Sequence, residues 1–340
     1  MSLAPADLGV VVIGRNEGER LLECLASLSP AAVPVVYADS ASSDGSPARA
    51  RALGAEVVVL DARQPLNAAR GRNAGHARLL ELRPALRYVF FVDGDCSVAP
   101  GFLAEARAEL ERDPGLGAVC GRRRERHPER SVFNRLVDCE WDTPVGEAEA
   151  FGGDVVVRVA ALRQCGGYDE SLNQGEDPEL AFRLRRAGWR IRRLASEMTR
   201  HDVALLRLAA WRRRHQRGGY AYAHGAARHW GTPGRYNQRA VASIVFWGLL
   251  LPLLVVAGLW ASGGASLLGL LLYARPWTRI RAERLRRGDS PARAREYATW
   301  ITLGKLDEAV GVLRCAWALA TRRRALTLDY RDAQRPRAAA

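Results

Sequence analysis

The sequence predicts an α/β domain built on a parallel sheet, followed by a membrane-associated helical region. Three observations carry this. Short apolar runs alternate with helical patterns through the first third of the chain, polar turns rich in Gly and Asp follow those runs, and residues 241–274 contain no charged side chain. Strands alternating with helices imply parallel pairing through crossovers. A charge-free run of that length is membrane material.

Residues 8–13 read as a buried strand, and after Gly14 a helical pattern places Leu21, Leu22, Leu25 and Leu28 on one face. Residues 33–38 form a second strand, Asp44 is placed to cap a helix running through Leu53, and residues 57–60 form a third. A helix over about 66–82 leads into a strand at 88–92, which ends on the turn Asp93-Gly94-Asp95. Further strands are expected at 117–121 and 154–158, with a Trp-containing stretch near Trp141 between them and the next helix starting near Asp177. Gly, Pro and Arg accumulate over 217–239, so the α/β domain is assigned to 1–235 and the helical region to 236–340.

The chain has 340 residues and a formal charge of +14, from 51 basic against 37 acidic residues, and Lys305 is its single lysine. Arginine suits phosphate through bidentate contacts, although replacement of nearly every Lys by Arg also fits a GC-rich genome. The excess charge suits lipid headgroups or nucleotide diphosphates. Nucleic acid is disfavoured, because much of the arginine flanks the apolar run instead of interleaving with aromatics. Six cysteines without a C-x-x-C pair indicate neither zinc nor a disulfide framework. Residues 1–7 lack a basic leader region and the apolar stretch 8–14 runs into Arg15, Asn16 and Glu17, so no signal peptide is expected and the front domain is assigned to the cytoplasm.

Ligands of open α/β sheets bind beyond the carboxyl ends of the strands. The loops leaving Ile13, Ala38 and Val92 should therefore share one crevice, bringing together residues 15–17, 39–46 and 93–95. Asp93 and Asp95 flank a glycine on one tight turn. Hard cations such as Mg²⁺ or Mn²⁺ take such oxygens together with phosphate oxygens. Alone, the triplet would read as an exposed acidic turn; its place after an apolar strand gives it weight.

In order, Val11-Val12-Ile13-Gly14-Arg15-Asn16-Glu17, Asp39-Ser40-Ala41-Ser42-Ser43-Asp44-Gly45-Ser46, Ala69-Arg70-Gly71-Arg72-Asn73-Ala74-Gly75, Asp93-Gly94-Asp95 and Gly175-Glu176-Asp177 resemble the family 2 glycosyltransferases. The resemblance spans roughly residues 8–230 and implies their GT-A fold. It also implies that Glu17 and Asp39 contact the base and ribose of a nucleotide sugar, and that Arg70 lies beside its diphosphate. The pocket would be completed by Gly14, Asn16, Asp44, Asn73, Asp93, Gly94 and Gly153. For Arg70 the plain alternative is a surface ion pair, Arg72 and Arg78 being of the same kind. Gly14-Arg15 departs from the Pro-Thr-like pair often found there, which leaves the base open.

The same resemblance implies inverting transfer of a hexosyl group, with Asp177 of the Glu176-Asp177 pair as base, and a divalent metal (Mn or Mg) held by Asp93, Asp95 and His201. Inversion needs a base for the acceptor hydroxyl and a metal-stabilised diphosphate leaving group. The plain alternative for Asp177 is a helix N-cap with Pro178 at the first helical position. Gly152-Gly153-Asp154 matches the small stretch before the acceptor-side strand, or is a simple turn. Residues 212–220 loosely resemble the gate-like loop of processive relatives but lack Gln-x-x-Arg-Trp, which favours single addition; a basic membrane-facing surface accounts for the arginines equally well. The alternatives in other classes are a metal-dependent nucleotidyltransferase and a non-catalytic membrane scaffold. A Walker A site is excluded, since Lys305 is followed by Leu306.

Residues 241–260 suffice for one crossing of the hydrocarbon core, while 265–274, after Gly263-Gly264, are too short for a second. A hairpin or re-entrant pair would keep Arg235, Arg239, Arg275, Arg279 and Arg281 on the cytoplasmic side, and the hairpin is the expected form; a buried soluble helix is the plain alternative. Residues 297–319 mix Trp300, Ile301, Leu303, Leu306, Val310, Leu313 and Trp317 with Lys305, Asp307 and Glu308, an amphipathic interfacial pattern. The expected location is the inner (cytoplasmic) membrane with the catalytic domain on its cytoplasmic side. The expected acceptor is a lipid or lipid-linked glycan in cell-surface polysaccharide or glycolipid synthesis.

Overall fold

A computed structural model describes residues 7–321; residues 1–6, on which part of the leader argument rests, and 322–340 lie outside the described residues. The chain forms two compact units, Met1–Glu129 with Glu140–Ala204, and Arg130–Cys139 with Leu205–Ala340.

The first unit holds a nine-stranded sheet of β1 (Leu8–Gly14), β2 (Val35–Asp39), β3 (Glu56–Val59), β4 (Tyr88–Asp93), β5 (Cys96–Val98), β6 (Leu116–Glu125), β7 (Gly146–Glu147), β8 (Val155–Arg158) and β9 (Arg190–His201). Its order is β3-β2-β1-β4-β8-β6-β9-β5, with β7 on β9. The first four strands are parallel, and β1 and β4 are apolar on both faces because helices cover both. The all-parallel expectation is corrected beyond β4. There β8 runs antiparallel to both β4 and β6, β9 is parallel to β6, and β5 is antiparallel to β9. A run such as Val155-Val156-Val157, buried throughout, carries no sign of its direction.

Register places the site. Gly14 pairs with Asp39 and Ile13 with Asp93, so the carboxyl ends of β1, β2 and β4 finish level. The antiparallel pairing of β5 with β9 then sets Cys96 opposite His201.

The helices that precede β9 are α1 (Glu19–Leu28), α2 (Ser46–Ala52), α3 (Ala68–Leu82), α4 (Phe102–Arg112), α5 (Val132–Glu140), α6 (Val159–Gln164) and α7 (Glu176–Arg186), of which α5 belongs to the second unit. One expected cap moves, and the cap alternative for Asp177 falls away. The N-cap of α2 is Gly45, while Asp44 accepts from the Gly18 and Ser46 amides. The N-cap of α7 is Gly175 in the left-handed region, φ 79°, where glycine is unstrained, so Asp177 lies inside the first turn and is not the cap.

The second unit contains α8 (Leu208–Arg228), α9 (Gln238–Val245), a π turn at Phe246–Leu250, α10 (Leu251–Ala261), a 3₁₀ segment at Ala265–Tyr273, α11 (Ala274–Arg286) and α12 (Pro291–Ala320). Residues 212–220, compared above with a gate-like loop, are helix, in the middle of α8. The units divide at Ala204, about thirty residues before the expected boundary, because α8 is packed tightly along α12. A β-carbon at Gly219 would strike the Glu308 carbonyl, and one at Gly311 the Gln216 carbonyl.

The apolar face of α12 points outwards, as the interfacial pattern expects, but its carboxylates are not on a water face. Asp307 and Glu308, expected on the water face, are buried, where Arg212 and Gln216 donate to Asp307 at 3.0 and 3.1 Å and Lys305 to Glu308 at 2.7 Å. Leu303, Leu306, Leu313 and Trp317 point outwards.

Candidate active site

The loop after β1 carries Asn16, whose φ of 55° an asparagine tolerates. Its amide donates to Ser42 Oγ at 2.9 Å and its Oδ1 accepts from the Ser43 amide at 2.8 Å, which ties the β1 loop to the β2 loop. Asp39 is fully buried and accepts from Tyr37 Oη at 2.7 Å, from Ser42 Oγ at 2.5 Å and from the Ser42 amide at 2.8 Å. The buried carboxylate of Glu17 accepts from Arg20 at 2.8 Å, and its side-chain stem fills the space that a β-carbon on Gly14 would occupy, while one on Gly94 would press on the Ile13 carbonyl.

At the end of β4, Asp93 accepts from Arg72 Nη2 and from Arg123 Nη2, both at 3.0 Å. Behind it the fully buried Asp154 accepts from Arg123 Nε at 2.7 Å and Thr199 Oγ1 at 2.5 Å. Gly153 is required here: a β-carbon would lie 2.6 Å from Asp93 Oδ2 and 2.9 Å from Arg72 Nη2. Arg123 also lies over Trp141, whose ring meets that of His201 edge-on at 5.1 Å.

Asp93, Asp95, Cys96 and His201 each offer a ligand atom, all within 4.8 Å of one another. His201 Nε2 is 3.2 Å from Asp95 Oδ1, and its Nδ1 is buried without a hydrogen-bond partner. Burial, with Asp154 adding to it, raises the Cys96 thiol well above its usual value and keeps it protonated. Two carboxylates and an imidazole remain. That donor set fits Mn²⁺ or Mg²⁺ better than a thiophilic metal.

Arg72, 2% exposed, is the hub of the site. Its Nη1 donates to Glu176 Oε1 at 2.7 Å and lies 3.3 Å from Asp177 Oδ1, and its guanidinium lies over the Tyr168 ring at 5.3 Å. The approach to Asp177 lacks hydrogen-bond alignment, which leaves that oxygen buried without a donor. Burial pushes Asp177 up to about 8, against the pull of Arg72, with Glu176 and Asp93 adding to the rise.

Arg70 and Asn73 are engaged elsewhere. Arg70 donates to the Asp61 and Pro65 carbonyls at 3.0 and 3.2 Å, so the arginine inside the acidic centre is Arg72, two residues on. Asn73 pins the 168–170 loop, donating to the Tyr168 carbonyl and to Glu170 and accepting from the Tyr168 amide. A signal for Arg72 exists in the sequence: Ala69, Arg72, Gly75 and Leu79 share the buried face of α3, and Arg70 does not. Arg123, within the run Arg122-Arg123-Arg124, carries no such mark.

A mixed sheet whose parallel strand ends converge on a metal-competent acidic turn, beside a buried and proton-hungry carboxylate, defines a glycosyltransferase of GT-A architecture. The pattern described as Glycosyl transferase family 2 matches residues 9–147, and that described as Glycosyl transferase family group 2 matches residues 88–303, more than half of the chain. The chain belongs to the family 2 glycosyltransferases. It is 28% identical over 281 residues to the succinoglycan biosynthesis protein ExoA of Rhizobium meliloti (strain 1021), covering 74% of this chain and 82% of that protein. The fold is similar to that of the mannosyltransferase PcManGT from Pyrobaculum calidifontis, solved with GDP-Man and Mn²⁺, with TM-score 0.61 and 21% identity over 92% of this chain and 87% of that one. S. aureus TarS 1-349 is also similar, with TM-score 0.50 and 14% identity over 93% and 92% of the two chains.

Proposed function

We propose that this enzyme transfers a sugar, with inversion, from a nucleoside-diphosphate sugar to an acceptor at a membrane, with Asp177 as general base. The observation that carries this reading is the state of Asp177: buried, raised to about 8, and holding an oxygen without a hydrogen-bond donor. Such a carboxylate takes up a proton readily once ionised, and it ionises just above neutral pH.

Asp177 takes the acceptor hydroxyl proton as that oxygen bonds to the anomeric carbon, and the bond from this carbon to the diphosphate breaks on the opposite face. Asp93, Asp95 and His201 would hold a divalent ion, which stabilises the negative charge of the departing diphosphate. Glu17, Asp39 and the Asn16 loop bind the nucleoside, since carboxylates accept from base N–H groups and ribose hydroxyls. Arg72 keeps Glu176 and Asp177 in place and balances their charge against that of Asp93. The mannosyltransferase of like fold, solved with a nucleotide sugar and Mn²⁺, supports the choice of donor class and metal.

Two features support an acceptor at the cytoplasmic membrane. Gln238–Ala261 is a 24-residue helical stretch long and apolar enough to cross a bilayer, and the relative from Rhizobium bears the name of a polysaccharide biosynthesis protein. A cell-surface polysaccharide precursor on a lipid carrier is the acceptor class we favour. The test is a panel of radiolabelled nucleotide sugars with purified enzyme, Mn²⁺ and membrane extract. Label moving into the lipid-extractable fraction supports the reading, and donor consumed without any lipid-linked product contradicts the acceptor class.

A further inference from the structure

Resting on the membrane attachment just proposed, we infer that the segment 246–273 is a re-entrant hairpin, which enters and leaves the lipid bilayer at one face and ends inside the hydrocarbon core. Its arms are antiparallel. Ser266 Oγ donates to the Val255 carbonyl at 2.8 Å, a β-carbon on Gly258 would touch Ser266 and one on Gly269 would touch Val255, and at the open end Tyr273 Oη donates to the Trp247 carbonyl. The outward faces are apolar, and Trp260 near the tip is 96% exposed.

Length decides the topology. The entering helical stretch, Gln238–Ala261, is long enough to cross on its own, so the return arm sets the limit. The return arm, nine residues of 3₁₀ helix from Ala265 to Tyr273, gives about 18 Å. The hydrocarbon core is about 30 Å thick. If the tip reached the far surface, Arg275 and the arginines of α11 that follow it would lie inside hydrocarbon, where charges are strongly disfavoured. With Trp247, Tyr273 and Trp277 at the headgroup level, where aromatic side chains settle, those arginines meet anionic headgroups instead.

The tip itself supplies an independent observation. Ser262 Oγ donates to the Gly258 carbonyl at 2.6 Å and accepts from the Ser266 amide at 2.9 Å, and the Gly264 amide donates to the Leu259 carbonyl at 2.9 Å. Internal satisfaction of this kind is what a turn inside hydrocarbon requires. A turn in water does not. The π turn at Phe246–Leu250 serves the same end, rearranging the backbone where Pro252 cannot donate to the carbonyl four residues back.

The test uses the full chain in sealed vesicles of both orientations, with a membrane-impermeant maleimide, Ser262→Cys, and Arg286→Cys on the exposed surface of α11 as reference. The unsubstituted chain supplies the background from its own cysteines, and retained sugar transfer certifies the fold of each variant. Re-entry predicts that Ser262→Cys reacts from neither face, at least ~10-fold less than after detergent unfolding, while Arg286→Cys reacts from one. Labelling of Ser262→Cys from the face opposite Arg286→Cys would show a full crossing and overturn re-entry, with membrane attachment intact. Labelling of both from the same face, or failure to sediment with vesicles, would overturn attachment as well and leave the transfer chemistry standing.

Discussion

Arg72 and Asp177 meet across 3.3 Å inside the acidic centre, and the same guanidinium donates to Asp93 at 3.0 Å. One buried cation therefore links the end of the metal-competent turn to the start of the helix carrying the proposed base. Lysine keeps the charge but lacks the planar fork that serves two partners. Arg72→Lys should lower transfer by ~10²-fold or more, while Arg72→Met, which strands carboxylates in the interior, should cost about 3–5 kcal/mol of stability. Steady-state kinetics and denaturant unfolding separate the two effects.

The pH dependence follows from Asp177. Its folded value of about 8 lies above that of an unfolded aspartate, about 3.9, so the folded state binds the proton more tightly. The resulting stabilisation is complete below the unfolded value and is lost as pH rises through the folded one. Metal-free wild type should therefore lose more melting temperature between pH 7 and pH 9 than Asp177→Asn, which has no such proton to lose. Transfer should rise over the same interval as the base is freed. Parallel melting curves for the two proteins would refute the assignment of the raised carboxyl.

Gly153→Ala places a methyl 2.6 Å from Asp93 Oδ2. The neighbour belongs to a carboxylate held by Arg123 on Oδ2 and by Arg72 on Oδ1, so it yields only by disturbing those ion pairs. The expected cost is about 1–3 kcal/mol, accompanied by weaker metal-dependent nucleotide binding in titration calorimetry. Asp95→Ala should weaken that binding further while sparing the ion pairs of Asp93. Binding indifferent to Mn²⁺ in the wild type would remove the metal from the account.

In the second unit, Gly219→Ala drives a methyl into the Glu308 carbonyl. Backbone does not give way as a side-chain tip does, so α8 and α12 must separate, at a cost of about 3 kcal/mol. Loss of vesicle binding with nucleotide binding retained would be seen by comparing sedimentation with calorimetry.

The parallel half of the sheet was legible because β1, β2 and β4 are unbroken apolar runs ending in polar turns. The antiparallel half was not: β5 and β7 are three and two residues long, and the arginines of β9 mask its alternation. Asp93, Asp95 and His201 were named from the sequence and lie together in the structure, with Cys96, which carried no mark, beside them. Arg70 was preferred to Arg72 because motif position was used where helical phase was needed. The burial of the α12 carboxylates was missed because Asp307 and Glu308 find Arg212 and His215 on α8, a fact of tertiary pairing that spacing along one helix does not contain.

The most direct test compares wild type with Asp177→Asn, measuring donor binding by calorimetry and sugar transfer from the matched radiolabelled donor on the same preparations in Mn²⁺. Donor affinity should stay within about a factor of three of wild type, and transfer should fall by ~10²–10⁴-fold, the contribution of a positioned base. Transfer at the wild-type rate with Asn at position 177 would contradict the assignment of Asp177 as base.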